Sequence, residues 1–373
     1  MSPSSAAPAV VSRLSVLDRY LPAWIGLGMA AGLGIGSLVP AVGDGLQALQ
    51  VGTVSLPIAL GLLLMMYPVL AKVRYEEMGR LRGRPRLFVL SLALNWIVGP
   101  ALMFVLAWTF LADQPEYRTG LIIVGLARCI AMVLVWSDLA RADNQATAVL
   151  VAMNALFQLL AYATLAYFYL TLLPSWLGLD TQGIAVSMWD VARTVLIFLG
   201  IPLVAGYVTR RVGLRRRGRD WYERRFLPRI GPITLWGLLF TIVALFAIQG
   251  DSIVDAPLDV ARIAVPLILY FAVMFAVAFG AGWLAGLSYP HTSALSFSAA
   301  SNDFELAIAV SVGVFGASSG QALAGVVGPL IEVPVLVGLV YVSLWLGRCL
   351  FDQSAERRPR RRGRESTVMA APE

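Results

Sequence analysis

The chain has 373 residues, 58% of them apolar and only 14% charged, with a mean hydropathy of +0.76. Soluble domains carry roughly 25% charged residues, so this chain cannot cover its apolar surface in water, and lipid is the solvent left to it. The net charge of +7 does not point to nucleic acid, because the basic residues sit in alternating loops rather than on one face.

Ten apolar runs follow in chain order, near Leu21–Pro40, Val51–Ala71, Leu87–Leu111, Thr119–Ser137, Ala146–Leu173, Val191–Thr209, Ile230–Ile248, Ile263–Leu287, Thr292–Phe315 and Gln321–Leu350. A β-barrel needs alternating segments of about ten residues. These runs are longer and apolar all round, which predicts helices. The expected fold class is all-α integral membrane with ten transmembrane helices. Residues 1–19 read as a loose polar tail without a cleavable signal peptide, 20–350 as the ten-span domain, and 351–373 as a basic tail.

The loops between the runs alternate in charge. Lys72, Arg74, Arg80, Arg82, Arg84 and Arg86 follow the second run, nine arginines lie from Arg210 to Arg229, and the tail carries ERRPRRRGR. The opposite loops hold Asp44, Asp113 with Glu116, Asp180, and Asp251 with Asp255. The positive-inside rule then puts both termini in the cytoplasm of a cell-membrane protein, with the basic tail resting on anionic lipid.

A weak internal repeat is visible at a shift of 176 residues. Gln145, Ala146 and Ala148 fall on Gln321, Ala322 and Ala324, and Cys129 falls on Glu305. Two repeats of five spans, about 20–173 and 190–350, would be inverted with respect to each other, a transporter plan with its site between repeats near the midplane.

The chemistry gathers in GLARCIAMVLVW (Gly125 to Trp136) and SNDFELAIAV (Ser301 to Val310). Arg128, Asp303 and Glu305 lie at membrane depth, where a charge costs roughly 2.5–3.5 kcal/mol on insertion scales. Ser301, Asn302 and Asp303 are poor helix formers. The expectation is that span nine, and by the repeat span four, is broken or unwound there. A bland alternative pairs Glu305 with Arg128 merely to hold two helices together. Cys129 has a bland reading too, as a small packed hydrophobe; the adjacent Arg128 weakens it, because a cation favours thiolate.

Other polar residues converge. Asn95 lies in NWIVGP, Asn154 and Gln158 sit four apart on one helix face in MNALFQ, and Glu332 lies between Pro329 and Pro334. Interhelical glue is the alternative for the amides; a carboxyl in lipid is a functional candidate by default. His291 starts span nine and Cys349 ends span ten; neither is assigned a role. The two cysteines form neither a disulfide framework nor a CxxC metal site.

From about Leu56 to Tyr341 the chain resembles the arsenical-resistance permeases of the bile/arsenite/riboflavin transporter superfamily, on NWIVGP, GLARCIAMVLVW, MNALFQ, SNDFELAIAV with VGVFG, and GPLIEVPVL. The resemblance implies ten spans in two inverted repeats, with discontinuous helices crossing at spans four and nine. It also implies efflux of arsenite, with antimonite a further substrate, by proton antiport, conferring arsenical resistance. It puts the essential cysteine on Cys129 and the essential carboxylate on Glu305. Asp303 departs from the asparagine expected in many relatives. Thiolate is the matching ligand for soft As(III), which makes Cys129 the arsenic ligand. Asn95, Asn154 and Gln158 then hold the hydroxyls of As(OH)3, and Glu305, Asp303, Arg128 and Glu332 form the proton-coupling set. No cofactor and no catalytic residue are expected. One rival is a sodium-coupled organic-anion symporter of the same fold, with Asp303, Glu305, Asn302 and Gln145 as a sodium cage. Another is an intramembrane hydrolase using Cys129, which lacks a base because the one histidine is His291 at the surface. A third, a transport-silent sensor, has no visible signalling domain.

Overall fold

The computed structural model describes residues 20–51, 54–76, 85–179, 186–254 and 257–351. The expected tail at 1–19, all but the first residue of the expected tail at 351–373, and Arg80, Arg82, Arg84, Asp180 and Asp255 lie outside them. The first helices are α1 (Leu21–Leu38), α2 (Pro40–Ala48), α3 (Leu56–Lys72), α4 (Pro85–Phe110), α5 (Pro115–Leu126), α6 (Met132–Leu139) and α7 (Asn144–Trp176). They are followed by α8 (188–217), α9 (219–254), α10 (Pro257–Leu284), α11 (Tyr289–Ala300), α12 (Phe304–Phe315) and α13 (Gly320–Leu346). A two-residue antiparallel pair, Gln50–Val51 with Val54–Ser55, joins α2 to α3.

Among the described residues, five helical stretches are long and apolar enough to cross a bilayer, and α1 with α2, bent by 103°, makes a sixth. The ten apolar runs therefore do not become ten uninterrupted helices. The first run was expected to end at Pro40, but Pro40 opens a second helix that turns away. A proline sits at the first or second position of α1, α3, α5 and α11, where its missing N–H leaves nothing unpaired. Within the spans, prolines leave a different mark. The wide turns at Leu94–Val98, Phe168–Leu172, Leu196–Gly200 and Tyr222–Phe226 each end two residues before a proline: Pro100, Pro174, Pro202 and Pro228. The ring clashes with the preceding turn, and a local i→i+5 turn relieves that clash without ending the helix.

Continuous helical hydrogen bonding hides a reversal between α8 and α9. Thirteen residues of straight helix span about 20 Å, yet Arg210 Nη2 lies 3.5 Å from Glu223 Oε1. The chain folds back at Gly218, whose φ of 79° and ψ of 169° suit glycine. The turn is pinned: Arg210, 2% exposed, binds both oxygens of Glu76, and the buried Tyr222 hydroxyl donates to the Ala71 carbonyl.

The helices sort into two packed groups. In the first, α1, α3 and α8 pack with α9. Gly28, Gly32 and Gly36 repeat every fourth residue along α1, and a Cβ on Gly32 would stand 2.6 Å from the Val243 carbonyl oxygen of α9. Small residues allow that approach where lipid supplies no hydrophobic drive. In the second, α4, α7, α10 and α13 surround the short helices α5, α6, α11 and α12. The outer faces are apolar, with Ile97 65% and Leu160 78% exposed, as a lipid-facing surface requires.

Candidate functional site

Two breaks define the centre of the second group. Helix α5 ends at Leu126 and α6 begins at Met132; α11 ends at Ala300 and α12 begins at Phe304. The second interruption falls on Ser301–Asp303, which the sequence marks as poor helix, and the first in the segment that the repeat sets against it. The freed backbones pair with each other. Cys129 N–H donates to the Ser301 carbonyl at 3.3 Å, and Asp303 N–H donates to the Ala127 carbonyl at 3.0 Å. Arg128 and Asn302 face each other at the middle of this antiparallel bridge. Buried backbone in lipid must find such partners.

The bridge has a register that differs from the 176-residue shift seen in the sequence. Arg128 opposes Asn302, a separation of 174 (302 minus 128), whereas α7 and α13 start 176 apart (320 minus 144). At that separation Cys129 falls on Asp303, whereas the 176-residue shift puts it on Glu305. The two shifts differ because α12 is four residues longer than α6, while the break before it is two residues shorter, 301–303 against 127–131.

Cys129 is 2% exposed. Its sulfur accepts from the Val133 N–H at 3.3 Å, in the first turn of α6, and the Ser301 hydroxyl lies against it. That hydroxyl donates to Glu332 Oε1 at 2.6 Å, and Asn302 N–H approaches the same oxygen at 3.4 Å. Glu332 thus joins the crossing from α13. Asp303 caps α12, its Oδ1 accepting from Leu306 N–H at 3.0 Å, and its carboxyl is within hydrogen-bonding reach of Glu305. Glu305 is only half-buried. It lines a cavity of about 500 Å³ with Val69, Lys72, Ala131, Met132 and residues of α9. The cavity lies at the seam between the two helix groups and reaches Lys72 at the arginine-rich end. A neighbouring cavity of about 410 Å³, lined by Lys72, Arg74, Asp138 and Glu223, continues it toward the surface.

The amides distribute unequally. Gln158 Oε1 accepts from Arg128 N–H at 2.7 Å, and Asn154 Nδ2 reaches the Ser298 hydroxyl of α11 at 3.4 Å. Asn95 instead bonds within its own helix, to the Ser91 carbonyl and hydroxyl. The Asn95, Asn154 and Asn302 side-chain oxygens and the Gln158 amide nitrogen are buried without partners, leaving hydrogen-bonding capacity for a small polar molecule.

Arg128 does not pair with Glu305. Its Nη1 donates to the Tyr270 hydroxyl at 2.8 Å and to the Ala299 carbonyl at 3.4 Å. Sequence reasoning missed Tyr270, a lone tyrosine inside an apolar run, and gave Ser301 no part of its own. His291 pairs with Asp143 at 3.1 Å at the start of α11, about 14 Å of helix from the break; it cannot serve Cys129 as a base. Among the described residues no three His, Cys, Asp or Glu side chains are grouped to hold a metal ion, so Cys129 stands as a single thiol.

Comparison with known proteins fits this arrangement. Residues 59–256 match the sodium bile acid symporter family. An arsenical-resistance protein of Corynebacterium glutamicum is 57% identical over 351 residues, 94% of this chain and 95% of that protein. An arsenical-resistance protein of Alkaliphilus metalliredigens is 33% identical over 88% of this chain and 93% of that protein, and an uncharacterized transporter of Synechocystis is 36% identical over 90% and 91%. Together with its apolar helices, these matches make the chain a multi-pass membrane protein that belongs to the sodium bile acid symporter family and, within it, to the arsenical-resistance permeases.

Proposed function

We propose that this chain exports arsenite from the cell by proton antiport, with antimonite as a second substrate. The observation that carries the reading is a single buried thiol, Cys129, held at a helix crossing beside carboxylates, one of which opens onto the cavity. One thiolate gives soft As(III) a matching ligand but a reversible bond. The orphaned amide atoms of Asn95, Asn154 and Gln158 suit the hydroxyls of As(OH)3. Glu305, reached from the cavity, is the proton carrier; Asp303 and Glu332 tune it. Each proton entering along the membrane potential supplies about 2.3 kcal/mol per 100 mV.

The accompanying layout is ten spans in the cell membrane, in inverted repeats of about 20–173 and 190–350, with both termini cytoplasmic. On that orientation the cavity beside Lys72 faces the cytoplasm. In a sodium-coupled organic-anion symporter Cys129 would have no task. Arsenite accumulation by everted vesicles under an imposed pH gradient, with and without sodium, tests the reading; accumulation that needs sodium and ignores pH would replace it with the symporter.

A further inference from the structure

The two side chains at the centre of the bridge do reciprocal work. Asn302 Nδ2 donates to the Val124 and Ala127 carbonyls, at 2.7 and 3.1 Å, at the C-terminus of α5. Arg128 Nη1 reaches the Ala299 carbonyl at the C-terminus of α11. Each break thus caps the helix that the other break ends. The caps differ in charge. Helix α5 receives neutral donors, Asn302 and the Tyr162 hydroxyl, which donates to the Ile123 carbonyl at 2.7 Å. Helix α11 receives a guanidinium.

That guanidinium is fully buried, and among the described residues no carboxylate lies within ion-pair distance of it. Its Nε and Nη2 have no acceptor. An unpaired cation so deep is expensive unless its surroundings are negative. Here they are. The α11 C-terminus presents the negative end of a helix dipole, the Tyr270 ring lies 5.9 Å away, and Glu332 meets the same break through Ser301 and Asn302. Half-helix C-termini and unwound carbonyls at such crossings are places where transporters coordinate coupling cations.

We propose that Arg128 is a resident cation of the crossing: its guanidinium permanently fills the place at the α11 C-terminus that a coupling metal cation would need, so the carrier runs without sodium. Tyr270 and Gly99 position it; a Cβ on Gly99 would stand 2.7 Å from Nη1 and 3.1 Å from the Tyr270 hydroxyl. This deepens the transport reading and rests on it for the rate measurements, though not for the substrate-free one.

The substrate-free test is thermal unfolding of the purified full-length protein in sodium chloride against choline chloride at equal ionic strength. Wild type should unfold at the same temperature in both. Arg128→Gln, with the place vacated, should gain about 3 °C or more in sodium. A sodium gain in wild type, or none in Arg128→Gln, overturns the proposal. In proteoliposomes, Arg128→Lys should keep arsenite exchange within about tenfold of wild type, and Arg128→Gln should lose about a hundredfold or more in choline. Equal loss in both variants would assign Arg128 a role of shape instead of charge and sink the idea. Should Arg128→Gln fail to fold, Gly99→Ala keeps every charge and displaces the guanidinium; a wild-type exchange rate in that variant contradicts the proposal. Wild type that exchanges no arsenite in either salt refutes the transport reading, while the unfolding comparison still decides the role of Arg128.

Discussion

Cys129→Ser separates a packing role from a ligand role. The thiol is 2% exposed and accepts one hydrogen bond, from Val133 N–H. A serine oxygen takes that bond and removes little volume, so the fold should lose less than about 1 kcal/mol. Cys129→Ala also forfeits the bond, and the expected cost rises to about 2 kcal/mol, adding roughly one heavy atom of cavity to one unpaired buried donor. Neither sum approaches the stability of a domain. Both variants should therefore insert, purify and unfold close to wild type. Arsenite export should nonetheless fall by about a hundredfold or more, because a hard, poorly ionised oxygen replaces a soft sulfur. The assays are thermal unfolding in detergent and arsenite export from cells, with Cys349→Ser as the active control. Export by Cys129→Ser at the wild-type rate would remove the thiolate from the mechanism.

Four further outcomes follow from the same geometry. Glu305→Gln should fold but lose proton-driven exchange, since an amide cannot cycle a proton; full activity would shift the coupling role to Asp303 or Glu332. Asn302→Ala removes two buried hydrogen bonds from the α5 C-terminus while the Val124 and Ala127 carbonyls keep the backbone N–H groups of Ala127 and Asp303, so unfolding should cost about 1–3 kcal/mol less than in wild type, and an unchanged melting temperature would refute the cap. Gly32→Leu should destabilise the α1–α9 contact by about 1–3 kcal/mol, visible as a lower melting temperature; wild-type stability would mean the helices do not approach as described. In the Arg210 clamp, burial opposes ionisation of Glu76, but the bidentate guanidinium outweighs it and holds the carboxyl below its usual range. A depressed folded pKa gives stability that is present above the ordinary carboxylate range and lost as pH falls through the depressed value. Glu76→Gln should cost about 1 kcal/mol at neutral pH, discounted because the Glu76 side chain is 43% exposed. That deficit should vanish in acid, and a deficit that persists there would assign the effect to packing.

The sequence made some of this legible and hid the rest for physical reasons. The breaks were readable because Ser301, Asn302 and Asp303 resist helix while sitting in an apolar run, and charges at membrane depth drew attention to Arg128 and Glu305. The 174-residue register of the bridge was not readable, because small-residue matches tolerate a two-residue slip, and neither the unequal breaks nor the four-residue difference between α6 and α12 leaves a compositional mark. Charge alone offers Arg128 as a partner for Glu305 only as the bland alternative, and the structure does not form that pair. A guanidinium that instead meets a tyrosine hydroxyl and a helix end depends on where α10 and α11 pack, which no local pattern encodes. Glu332 stands out in the sequence as a carboxyl in an apolar run, while Ser301, the side chain that ties it to the crossing, looks like helix-breaking filler. The turn at Pro40 was missed because proline starts helices as readily as it ends them.

The most direct test of arsenite–proton exchange is arsenite accumulation by everted vesicles holding the wild-type chain, in sodium-free buffer, with the interior made acidic and then with the pH gradient collapsed by an ionophore. The account predicts accumulation that follows the gradient and disappears with it. Accumulation unaffected by the ionophore, or none until sodium is supplied, would contradict it.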